Sequence, residues 1–126
     1  MERILGRFAP QFYALLRIVA GLLFACHGAQ KLFGAFGGQQ VPPMSQFGLA
    51  GVIEFVGGLM IAVGFFTSLA AFIASGEMAV AYFQMHAPKG LWPIQNQGEL
   101  ALLYCFLFLY MSARGNGIWS VGRGKR

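Results

Sequence analysis

The stretch GVIEFVGGLMIAVGFFTSLAAFIASGEMAVAYFQM, residues 51–85, is apolar along nearly all its length, and its only charged residues are two carboxylates, Glu54 and Glu77, with a small polar step at Thr67 and Ser68. About 20 apolar residues suffice to cross a bilayer, so this run is too long for one membrane helix. It splits at Thr67 and Ser68 into a tight antiparallel helical hairpin. An ionised side chain at the bilayer centre costs on the order of 3 kcal/mol. Carboxylates retained there are therefore expected to face a bundle interior and to mark a pathway or a ligand site.

Working outward, two further apolar runs flank the hairpin, giving spans over residues 12–33, 47–66, 69–85 and 98–113. Residues 34–46, with Gly-rich sequence and the Pro42-Pro43 pair, and residues 87–97, with Pro88, Gly90 and Pro93, are breakers that end helices. The expected fold is all-α: an integral membrane four-helix bundle forming a single domain over residues 1–126. Composition agrees, because 57% of residues are hydrophobic and 10% charged, against about 45–50% apolar in soluble domains.

The net charge of +5 does not point to nucleic acid, since the basic residues form no patch interleaved with aromatics. They report orientation instead. Arg3, Arg7, Arg114, Arg123, Lys125 and Arg126 flank the terminal side, whereas Lys31 and Lys89 lie toward the other, so both termini are expected in the cytoplasm and the chain in the cytoplasmic (inner) membrane as a multi-pass protein. Trp92 and Trp119 fall at opposite interfaces, as aromatic anchors do. The basic, then apolar, N-terminus reads as a retained span rather than a cleaved export signal. Cys26 and Cys105 sit within apolar segments without CxxC spacing and read as inert thiols.

At 1.5 Å of rise per residue, ionisable groups on different spans fall at matching depths. Lys31 and Glu99 come near the outer surface. His27 lies about 9 Å below Phe33, level with Glu54 at about 10 Å below Phe47, and Arg17 and Glu77 fall toward the inner half. On the first span Arg17, Gly21, Phe24, Gly28 and Lys31 share a stripe with His27 at its edge; on the second, Gly51, Gly57 and Gly58 surround Glu54, a small-residue face suited to close helix approach. Glu99, Phe106 and Tyr110 align on the fourth span and are expected to point inward. His86 reads as interfacial. The competing structural reading is a set of buried ion pairs that fix helix register.

A quinol headgroup needs an acceptor for each hydroxyl proton and an apolar slot for its tail, and a buried carboxylate or imidazole supplies the acceptor. His27 and Glu54 are the residues expected to bind the headgroup and exchange protons. Lys31 and Glu99 would shape the outer mouth, Arg17 with Glu77 would close the polar seam, and Tyr110 would join the binding wall. No metal, haem or flavin signature is present, so electron transfer would need a partner.

The runs HGAQKLFG, residues 27–34, and GVIEFVGGLMIAVGFFTS, residues 51–68, resemble the DoxX family, and GEMAVAYFQMHAP, PIQNQGELALLYCFLFLY and GNGIWS continue the resemblance nearly to the end of the chain. It implies a four-helix membrane fold and membership of quinone-linked redox metabolism, alongside small membrane subunits of quinol oxidase and thiosulfate:quinone oxidoreductase. Where relatives often carry an acidic residue after the W-S pair, Ser120 is followed here by Val121 and Gly122.

The leading expectation is thus a membrane protein that binds a quinone, a quinol or a similar amphipathic redox molecule in an intramembrane polar pocket, as an oxidoreductase subunit. The alternative is a non-catalytic anchor or assembly subunit docking a redox partner through its basic termini or outer loops. A third, a proton or small-solute pathway, would require a homo-oligomer, because four short helices enclose little room.

Overall fold

A computed structural model describes residues 1–42 and 44–122. Pro43 of the Pro-Pro breaker and the basic residues Arg123, Lys125 and Arg126, which enter the orientation argument, lie outside the described residues. Among those described the chain is all-helical. Four long helices run as α1 (Ala9–Phe33), α2 (Gln46–Val63), α3 (Thr67–Ala81) and α4 (Glu99–Arg114).

Local chemistry explains the boundaries. Pro10 sits in the first turn of α1, where its missing N–H costs nothing. Gly34 ends that helix in a left-handed conformation, φ +70°, with its N–H on Gln30 O at 3.0 Å. Ser45 caps α2 by accepting from Gly48 N at 3.0 Å. The second span was expected to reach residue 66 but stops at Val63, because Gly64 takes up φ +77° and closes the helix. Hydropathy alone could not see this, since residues 64–66 are as apolar as the helix before them. Past Ala81, α3 loosens into a π-helical turn over Tyr82–His86 and ends at Pro88 in the turn Ala87–Lys89.

The helices pack chiefly as α1 on α2 and α3 on α4, with α2 against α3 joining the pairs. Glycine decides the first contact. A Cβ on Gly21 would stand 2.5 Å from Ala62 N and 2.6 Å from Gly58 O, and one on Gly58 would stand 2.5 Å from Ala25 N, so the two backbones touch. Gly57, grouped with Gly51 and Gly58 in the sequence, has open space at its Cβ and takes no part. In the second pair, Ala70, Ala71 and Ala74 of α3 receive large side chains of α4. Phe24 of α1 closes the centre, 5.4 Å from the Tyr104 ring and 4.8 Å from that of Phe108.

Two helical stretches, Glu2–Phe33 and Gln46–Val63, are long and apolar enough to cross a membrane. Large apolar side chains such as Leu22, Leu59, Phe72 and Leu103 stand exposed around all four helices. Contiguous apolar surface on this scale is foreign to soluble monomers and suits contact with lipid.

Candidate functional site

Helix crossing places the first pair of charges. Gly28 of α1 lies against the α2 backbone, where its Cβ would come 2.7 Å from Gly51 O, and a Cβ on Gly51 would come 3.0 Å from Lys31 Cβ. Lys31 and Glu54 each follow one of these glycines by three residues, one turn along the same face. They meet there: Lys31 Nζ lies 2.6 Å from Glu54 Oε1, with Glu54 only 1% exposed. The depth ruler matched Lys31 with Glu99 instead. The difference arises because a lysine extends its ammonium well away from its own Cα level along a flexible apolar stem.

Beside this pair lies a cavity of about 780 Å³, bounded by all four helices and the π-helical turn. Its polar groups include His27, Lys31, Glu54, Glu77, Gln84 and Tyr104, set in a wall otherwise largely of apolar side chains such as Phe47, Ile53, Phe72 and Leu100. Glu77 reaches in from α3, its carboxyl within hydrogen-bonding reach of Glu54. Glu54 Oε2 and Glu77 Oε1 are both buried and receive no hydrogen bond from any other group among the described residues, so the two carboxyls are left to share a proton between them. The His27 ring meets Tyr104 edge-on, centroids 6.2 Å apart at 88°. His27, Glu54, Glu77 and Lys31, drawn from three helices, therefore share one chamber.

Two contributions to the chamber were missed in the sequence. Tyr104 occupies the inward stripe of α4, and it could have been found from its spacing with Ala101, Phe108 and Met111, all buried. At the opposite side Gln46 Nε2 donates to Gln84 Oε1, tying the start of α2 to the π-helical turn. No spacing rule announces a bond between residues so far apart in sequence.

Three expected site residues lie elsewhere. The stripe of Glu99, Phe106 and Tyr110 is turned outward: Glu99 is exposed, Phe106 is 61% and Tyr110 55% exposed. Because α4 is apolar on nearly every side, polarity does not select its buried face; the fit of Tyr104 and Phe108 against Phe24 does. Tyr110 makes an edge contact with Tyr13, ring centroids 6.1 Å apart. His86 bonds through Nδ1 with Asn96 O at 3.1 Å and lines the cavity near its polar end segment.

Arg17 does not close a seam with Glu77. It is fully buried and spends its donors on carbonyl oxygens. Nε donates to Ile61 O at 3.0 Å and Nη2 to Ala62 O at 3.5 Å, at the C-terminal end of α2; Nη1 donates to Asn116 O at 2.6 Å and Ile118 O at 2.8 Å, and Nη2 to Trp119 O at 2.6 Å. The last carbonyls of a helix lack partners and carry partial negative charge, and a guanidinium fork has five N–H donors to offer them. Tyr13 adds a bond to Gly115 O at 2.7 Å, and Asn116 Oδ1 accepts from Thr67 N at 2.9 Å. The GNGIWS motif is thus a clamp around Arg17. It lies about 21 Å along α1 from Lys31, at the other end of the molecule.

Among the described residues, no three His, Cys, Asp or Glu side chains come together as a metal site. The chamber's chemistry is that of acids, an ammonium, an imidazole and a phenol facing an apolar slot. Such a set can hold an amphipathic molecule by its polar end and exchange protons with it.

Comparison with known proteins agrees with this architecture. The DoxX family model matches residues 12–87, the segment that carries most of α1, all of α2 and α3, and four of the chamber's polar residues, His27, Lys31, Glu54 and Glu77. A protein of Haemophilus influenzae, described only as an uncharacterized protein, is 46% identical over 120 residues, 90% of each chain. No solved structure matches. With the family model covering most of the chain and a relative aligned along nearly all of it, the chain belongs to the DoxX family of membrane proteins.

Proposed function

We propose that this protein binds a quinone, a quinol or a similar amphipathic redox molecule in the chamber bounded by the four helices, and serves quinone-linked redox metabolism as a membrane subunit. In this proposal all four helices cross the cytoplasmic membrane as a bundle with both termini inside. The π-helical turn extends α3 toward spanning length, and α4 is buttressed by its pairing with α3. The chamber then opens toward the outer half of the bilayer, where an apolar tail has lipid to lie in.

The observation that carries the proposal is the carboxyl pair Glu54 and Glu77, buried within hydrogen-bonding reach of one another against a cavity of about 780 Å³. Two buried carboxyls this close hold a proton between them, and a bound headgroup exchanges with that proton. The volume falls within the range of about 300–1,000 Å³ typical of small-molecule sites. His27 and Glu54 are assigned to the headgroup and its protons, Glu77 joins them, and Lys31 holds Glu54 in place. Arg17, Glu99 and Tyr110 are left out of the site by their positions.

The test is chemical. Protein purified from membranes in mild detergent is extracted with organic solvent and the extract examined for quinones against a control membrane protein prepared in parallel. Enriched quinone, together with saturable binding of a short-tailed quinone that is lost in Glu54→Gln, supports the proposal. Its absence, with no binding of added quinone, defeats it.

A further inference from the structure

At the end of the molecule where Arg17 is clamped, a second hollow of about 500 Å³ lies between the start of α3 and the end of α4. That is far more than the roughly 30 Å³ share of one water, and within the range of about 300–1,000 Å³ for small-molecule sites. Thr67, the first residue of α3, is the fully buried member of its lining, and Thr67 Oγ1 has no hydrogen-bond partner among the described residues. Buried hydroxyls in folded proteins are nearly always bonded.

The groups around Thr67 are unequal in kind. The main acceptors are engaged: Ser112 O takes the Ser68 hydroxyl at 2.7 Å, Gly115 O takes that of Tyr13 at 2.7 Å, and Asn116 Oδ1 takes Thr67 N at 2.9 Å. Donors are left over. The first bond of α3 runs from Ala70 N to Phe66 O at 3.0 Å, so the N–H groups of Ser68 and Leu69 precede the helical ladder. They stand at the positive end of a 15-residue helix, beside the stranded Thr67 hydroxyl.

Charge points the same way. Among the described residues no carboxylate lines the hollow, and Arg114 stands between Ser112 and Gly115, two of its lining residues. What fits is an anion rich in acceptor oxygens, as phosphates are at helix N-termini. The flank of the hollow is greasy: Phe66, Leu69 and Phe72 are lining residues with exposed rings and side chains. With the four helices crossing the membrane as proposed above, this end meets the headgroup layer on the side of the termini, and Leu69 and Phe72 face acyl chains.

We infer that this hollow is a phospholipid site: the phosphate sits at the start of α3, accepting from Thr67 Oγ1 and the N–H groups of Ser68 and Leu69, and an acyl chain lies along Leu69 and Phe72. A net-anionic lipid such as phosphatidylglycerol is preferred over phosphatidylethanolamine, because no carboxylate is present to receive an ammonium headgroup. The inference rests on the membrane crossing and not on what the chamber holds.

The test is native mass spectrometry of the purified, lipid-depleted protein in detergent. Dioleoylphosphatidylglycerol, dioleoylphosphatidylethanolamine and inorganic phosphate are each titrated in. One phosphatidylglycerol per chain should be retained, about fivefold more tightly than phosphatidylethanolamine, the scale of one charge at a membrane surface. In Thr67→Val, which keeps the side-chain shape and removes the hydroxyl, affinity should fall about tenfold, the scale of one hydrogen bond to a charged group, whereas Glu99→Gln at the far end of the bundle should keep it. Equal retention of the two lipids, undiminished retention in a folded Thr67→Val, or binding of inorganic phosphate without lipid overturns the inference and leaves the chamber's ligand untouched. The comparison of the two lipids on the unaltered chain stands even where the variant does not fold.

Discussion

Lys31 Nζ and Glu54 Oε1 lie 2.6 Å apart across the contact between α1 and α2, and the carboxylate is almost wholly buried while the lysine is 30% exposed. The pair therefore joins a charge that cannot leave to one that reaches the chamber's edge. Glycines one turn back, Gly28 and Gly51, bring the backbones close enough for the bridge to form.

Removing the cation alone strands the acid. Lys31→Met should destabilise the protein by about 3–5 kcal/mol, the usual cost of leaving one member of a buried pair uncompensated, and Glu54→Gln in the same chain should recover much of it. Thermal unfolding in detergent of the two single variants and the double variant checks this coupling. Additive losses would mean that the two groups act independently.

Close backbone contact predicts a contrast between neighbouring glycines. Gly58→Val should separate α1 from α2 and unfold or gravely weaken the protein, since even a Cβ there would press into Ala25 N. Gly57→Ala, one residue away with open space, should be neutral or gain up to about 1 kcal/mol from helix propensity. Unfolding midpoints of the two variants give the comparison.

Arg17 holds the C-terminal segment, so its loss should be felt there. Arg17→Lys replaces a five-donor fork with a point charge and leaves carbonyls of Asn116, Ile118 and Trp119 short of donors, at about 1–3 kcal/mol for each buried one. Hydrogen exchange and limited proteolysis should show residues 115–122 released while the chamber's ligand binding persists. Loss of binding with an intact C-terminal segment would contradict the separation of the two ends.

The Gln46 and Gln84 bond links α2 to the π-helical turn beside the chamber. A neutral hydrogen bond contributes about 0.5–1.5 kcal/mol, so Gln84→Ala should speed ligand entry and exit several-fold with little change in stability. Stopped-flow exchange of a bound quinone analogue measures it.

Much of this was legible in the residues. The all-helical class follows from long apolar runs broken by proline and glycine, and the gathering of Glu54, Glu77 and His27 around one cavity follows from the cost of placing polar groups among apolar ones. Partners were harder. Lys31 pairs with Glu54 rather than Glu99 because depth along a helix fixes Cα positions and not the reach of a long side chain. Arg17 found backbone carbonyls, which no pattern of side chains displays. On α4, apolar all round, the buried face was chosen by the shapes of Tyr104 and Phe108, and polarity pointed to the wrong stripe.

The central claim is that the space between His27, Glu54 and Glu77 is a ligand site. It is tested most directly by a density map of the protein purified with its native lipids. The account predicts a flat headgroup lodged between the two glutamates with a tail running out along the apolar wall; a chamber collapsed around the Lys31 and Glu54 pair, or filled by a lipid acyl chain with both carboxyls left bare, would contradict it.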